Sequence, residues 1–75
     1  MGIFIGENMK LIAQRGNQLL IQTNKDRGFV YDKLSNERFE ENNIHSIIAR
    51  GYWEEPTIKM TKGQLQAIKE LPVTT

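Results

Sequence analysis

The C-terminal stretch Met60-Thr61-Lys62-Gly63-Gln64-Leu65, closed by Pro72, specifies one short helix and thereby limits what the rest of the chain can be. Thr61 is a good N-cap, and Gln64 three residues later completes a capping box. Met60 before the cap and Leu65 after it form the matching hydrophobic staple. Leu65, Ile68 and Leu71 fall on one face with Ala67 nearby, while Lys62, Gln66, Lys69 and Glu70 fall on the other. Pro72 cannot continue the ladder and ends it. A helix this short is marginal alone in water, so it needs an apolar surface to pack on.

The preceding residues supply that surface as strands and turns. Met9 to Gln14 alternates in part and reads as a first strand. Leu19-Leu20-Ile21-Gln22-Thr23 is apolar and β-branched and reads as a second. Phe29 to Leu34 reads as a third, with Phe29, Tyr31 and Lys33 on one face and Val30, Asp32 and Leu34 on the other. Glu37 to Glu40 returns as a fourth. Arg15-Gly16-Asn17, Asn24 to Gly28 and Ser35-Asn36 are the turns between them, with Gly28 expected in a left-handed conformation. Ile44 to Ala49 reads as a fifth strand; the alternative is a short helix carrying Ile44, Ile47 and Ile48 on one stripe. Gly51 suggests a bulge or bend before Tyr52-Trp53. Residues 1–8 contain Ile3-Phe4-Ile5, closed by Gly6-Glu7-Asn8, and read as an edge strand or docking tail ahead of a compact domain over residues 9–75.

The expected fold is therefore α+β: a small antiparallel meander of about four or five short strands with one C-terminal helix. By analogy with small β folds, the sheet could curl into a partly open barrel. The 75 residues suffice for one domain. A chain of this size buries only roughly 60–65% of the surface its unfolded form exposes, so stability is modest. With no cysteine, neither disulfides nor thiolate metal ligands contribute. The longest apolar runs are far too short to span a bilayer, and the N-terminus lacks the layout of a signal peptide. No membrane association and a cytoplasmic location are the resulting expectations.

No chemistry-bearing motif emerges. The glycines are dispersed singly, so there is no phosphate-cradling loop. His45 is the single histidine, without a second His or a Cys for a metal site, and its partners as a general base would come from Glu40, Glu41 or Asp32 at undefined distances. Ser35, Ser46 and the threonines carry no nucleophile signature. Neither a catalytic centre nor a metal or cofactor is expected.

Two sets of residues are candidates for binding. Tyr52 and Trp53 are adjacent, so in a strand they point to opposite faces. Trp53, the largest apolar side chain, is expected in the core between the sheet and the C-terminal helix, near Leu65 and Ile68. Tyr52 then points outward beside Arg50, Glu54 and Glu55, a composition that suits an interaction hot spot. The second set is the arginines. Arg15 and Arg38 would lie near one end of a meander and Arg27 nearer the other; converging with Lys10 or Lys33, Arg15 and Arg38 could hold a phosphate or carboxylate. The functional expectation is a small non-enzymatic binding module, accessory or regulatory, that docks on a protein partner, with self-association through an open sheet edge as a further route. The alternative is a nucleic-acid binder using dispersed Lys and Arg with Phe29, Tyr31 and Phe39 as a stacking platform. A net charge of +1, with basic and acidic residues interspersed, speaks against that alternative.

Overall fold

The computed structural model describes residues 9–73. Four strands follow one another, β1 (Lys10–Arg15), β2 (Gln18–Gln22), β3 (Gly28–Asp32) and β4 (Glu37–Glu41), and two helices follow them, α1 (Ile44–Arg50) and α2 (Lys62–Lys69). Each strand pairs antiparallel with the next, in the order β1-β2-β3-β4. β1 and β4 remain edges, so the sheet is open and not closed into a barrel. The α+β meander is as expected from the sequence. The Ile3-Phe4-Ile5 strand or tail lies outside the described residues.

The expectation of a fifth strand over Ile44–Ala49 is overturned. Asn43 caps a helix there: its side-chain oxygen accepts from the Ser46 amide at 3.2 Å, and the Ile44 amide donates to the Asp26 carbonyl at 3.0 Å. The segment is rich in β-branched residues, but such propensity yields to packing. As a helix it seats Ile44 fully in the core, whereas a fifth strand would have left one face of the sheet bare.

Both faces of the sheet are covered. On the first, Ile44 of α1 packs on Ala13, Leu20 and Val30, with Ile12 and Trp53 alongside. On the second, Leu65 and Ile68 of α2 pack on Ile21 and Phe29, flanked by Met9, Leu11, Tyr31 and Met60. β2 runs between these layers, and Leu19, Leu20 and Ile21 are 2%, 0% and 0% exposed. A strand covered on both sides reads as a continuous apolar run instead of an alternation. Leu19-Leu20-Ile21 is such a run.

The two layers are joined by a connection that passes around the sheet. Glu54 and Gln14 exchange two backbone hydrogen bonds of 2.9 Å, so the chain runs along the outer edge of β1. The Gln14 side chain then accepts from the Thr57 amide at 2.8 Å. Trp53 precedes this crossing and stays with α1; α2 follows it and lies on the opposite face. The expectation that Trp53 sits near Leu65 and Ile68 is therefore wrong. The short connection goes over an edge and does not fold back on one face.

Three turns refine the sequence reading. Gly16 takes a left-handed φ of +57° in the two-residue loop closed by the Arg15–Gln18 pair. Gly28 is not left-handed; it lies in β3, where a Cβ would come within 2.2 Å of the Ile21 carbonyl oxygen. The third turn spans 33–36 rather than Ser35-Asn36 alone. The Asp32 carboxylate accepts from the Leu34 and Ser35 amides, and Asn36 adopts a left-handed φ of 58°.

Candidate functional site: the Gly51–Trp53 turn

The turn that ends α1 is built by residues distant in sequence. The Trp53 ring packs on the edge of the first core layer, and the Arg15 guanidinium lies over it, 4.4 Å from the ring centroid. Arg15 Nη1 donates to the Gly51 carbonyl at 2.8 Å, and Nε and Nη2 both donate to Gln18 Oε1. Arg15 thus clamps the turn from β1 while Gln18, its partner across the hairpin, holds Arg15 in place. Gly51 is required by contact: a Cβ there would approach Trp53 Nε1 to 2.6 Å and Arg15 Nη1 to 2.7 Å.

Gly51 keeps an ordinary φ of −109°, and Tyr52 instead takes the left-handed conformation, φ 59°. For a residue with a Cβ this costs roughly 1–2 kcal/mol. The backbone spends that energy to turn the tyrosine out, and Tyr52 is 92% exposed. The Trp53 indole N–H is buried with no hydrogen-bond partner among the described residues, a further cost of about 1–3 kcal/mol. The side that faces solvent is thus a rigid platform presenting Tyr52, with Arg50 and the exposed Glu54 and Glu55 beside it in the chain.

Arg38, the remaining predicted binding residue, is elsewhere. The register puts it on the α2 face, in the row with Tyr31 and Gln14, whereas Arg15 is on the α1 face. The two arginines do not converge. Arg38 is 9% exposed, lies 5.1 Å from the Phe29 centroid, donates through Nε to the Leu71 carbonyl at 3.1 Å and pairs through Nη1 with Glu40. With these partners it fastens the end of α2 and the following chain, where Val73 bridges to β4. Both sheet edges therefore carry one bridge from a later segment, Glu54 on β1 and Val73 on β4.

His45 Nε2 lies 2.9 Å from the Lys25 carbonyl oxygen. A carbonyl can only accept, so this nitrogen carries the proton and the ring braces α1 against the β2–β3 turn. Its nearest carboxylate is Asp26, at 3.8 Å, rather than Glu40, Glu41 or Asp32. Among the described residues no group of His, Asp or Glu side chains is placed to hold a metal ion. The stacking platform imagined for single-stranded nucleic acid is not assembled. Phe29 is buried beneath α2, the Tyr31 hydroxyl donates to Asn36 Oδ1 at 2.6 Å, and Phe39 belongs to the opposite face. No helix among the described residues is long and apolar enough to cross a membrane.

The part of the site that sequence reasoning missed is the Arg15 clamp. Its two halves are separated by 36 positions, and no local signal joins them. No protein-family model matches the chain, and neither the curated proteins nor the solved structures contain a match to it.

Proposed function

We propose that this protein is a small non-enzymatic binding module that docks on a protein partner through the Tyr52 turn. The observation that carries this reading is the left-handed, outward-held Tyr52 on a turn clamped by Arg15 and Trp53. Backbone strain of this kind persists only where the surroundings over-determine it, and it clusters at binding and catalytic sites. A rigid aromatic offered to solvent needs little ordering on contact, which favours affinity. Arg50, Glu54 and Glu55 supply the charged rim that steers and orients a partner.

The test is affinity capture with the intact protein and with Tyr52→Ala. Circular dichroism should show the same fold for both, because Tyr52 contributes no core packing. A specific protein partner should be retained by the first and lost by the second. Equal retention of the same partner by both would refute the role of Tyr52. Nucleic acid recovered in place of protein, with binding that falls steeply as salt rises, would replace this reading with the nucleic-acid one.

A further inference from the structure

A second surface lies across the sheet from the Tyr52 turn. A groove of about 360 Å³ opens between the start of β1 and the segment leading into α2. Its apolar lining comes from Met9, Leu11, Ile58, Met60 and Leu65. Lys10, Lys59 and Lys62 stand around it. All three lysines are exposed, and none takes part in an ion pair among the described residues. A chain with a net charge of +1 thus brings three unpaired cations to the border of one apolar groove.

The wall of the groove is a sheet edge. Glu54 occupies the outer edge of β1 at Gln14, but no further segment hydrogen-bonds to β1 over residues 10–12 among the described residues. A bulge between Leu11 and Ala13 shifts the register by one residue. The alternation of antiparallel pairs then turns the Leu11 amide and carbonyl away from β2, as at Gln14, toward the outer edge beside the groove.

We propose that this groove binds an extended acidic segment of a partner protein, which adds alongside β1 at Leu11. Apolar side chains on alternate positions of that segment rest on the methionine and leucine lining; acidic side chains between them point to the other face of the sheet, the face of Lys10, and acidic residues flanking the paired stretch meet Lys59 and Lys62. Three features select this occupant. Edge backbone groups recognise a strand. Methionine side chains adapt to varied apolar shapes. Lysine ammonium groups attract carboxylates without demanding a fixed geometry. Stacked bases are a poorer fit, because among the described residues no aromatic ring lines the groove.

The test uses the full chain and a fluorescein-labelled peptide of sequence Glu-Val-Glu-Leu-Glu-Val-Glu. Fluorescence anisotropy should show saturable binding that weakens as salt rises. Amide NMR shifts should map to residues 10–12 and 58–62 and leave residues 50–53 unmoved. The double variant Lys59→Glu/Lys62→Glu should keep the fold, since both side chains are exposed, and should lose about tenfold or more in affinity, a factor equivalent to about 1.4 kcal/mol. Absence of binding at millimolar peptide would overturn the proposal. So would equal binding of a peptide with Lys in place of Glu, shifts confined to the Tyr52 turn, or stronger binding of a single-stranded oligonucleotide of equal charge. The groove and the Tyr52 turn lie on opposite faces, so failure of one leaves the other standing.

Discussion

Gly51→Ala tests the architecture of the turn with a single methyl group. The added Cβ would stand 2.6 Å from Trp53 Nε1, 2.7 Å from Trp53 Cδ1 and 2.7 Å from Arg15 Nη1. The arginine tip can move aside, but then its 2.8 Å bond to the Gly51 carbonyl is stretched or lost. The indole is wedged against the core edge and has less freedom. Overpacking of this kind costs about 1–3 kcal/mol, and the lost hydrogen bond adds about 0.5–1.5 kcal/mol. Removing glycine from the unfolded chain returns about 0.4–1 kcal/mol. The net expectation is a destabilisation of about 0.5–4 kcal/mol. In a domain of this size each kcal/mol lowers Tm by about 4–8 °C. Urea titration followed by tryptophan fluorescence measures the change, with an unaltered slope confirming that the unfolded state is comparable. A Tm equal to or above that of the natural sequence would refute the argument. Such a result would mean that Gly51 is free to carry a side chain and that the Arg15–Trp53 stack does not fix the turn.

Four other outcomes are expected. Tyr52→Gly relieves the left-handed strain and should leave the domain as stable or up to about 1 kcal/mol more stable, while partner capture is lost; a clear fall in Tm would contradict the strain assignment. Arg15→Ala uncovers the outer face of Trp53, so emission should shift to the red and iodide quenching should rise; unchanged spectra would show that the arginine does not shield the ring in solution. Leu65→Ala or Ile68→Ala should each cost on the order of 2–5 kcal/mol by urea titration, because α2 is held by these two buried residues. Arg38→Met retains the aliphatic stem but removes the bond to the Leu71 carbonyl and the pair with Glu40; it should speed amide exchange at Glu70 and Leu71 more than in β2, and uniform exchange across both regions would argue against a fastening role.

Much of the fold is written locally. The capping box of α2 forms as the Thr61-to-Gln64 spacing requires, with both reciprocal hydrogen bonds present. The strands lie within a residue or two of their expected positions because their turns carry glycine, asparagine and aspartate where the chain must reverse. α1 was harder to read. Its seven residues offer two competing patterns, and isoleucine-rich segments favour strands when nothing else decides. Two signals did favour the helix. Asn43 stood ready as an N-cap, and the unbroken Leu19-Leu20-Ile21 run implied cover on both sides of the sheet. One C-terminal helix cannot cover both faces. The outward direction of Tyr52 could be inferred from supply and demand for core volume. The location of Trp53 could not, because it depended on whether eight residues would fold back or go around an edge. The separation of Arg15 from Arg38 followed from the sheet register, which sets them in adjacent rows and is not marked by a residue type.

The passage of residues 54–57 around the edge of β1 has a consequence for how the chain matures. During synthesis the four strands and α1 are complete before α2 has been made. Ile21 and Phe29, fully buried in the finished molecule, are then bare on one side of a nearly finished sheet. Domains are completed from the N-terminal end as they emerge, and exposed apolar surface invites association with other chains. Residues 58–71 thus act as a closing flap over Ile21 and Phe29. A nascent or truncated chain that stops short of Leu65 should be caught by chaperones or aggregate, even though every strand it needs is already present.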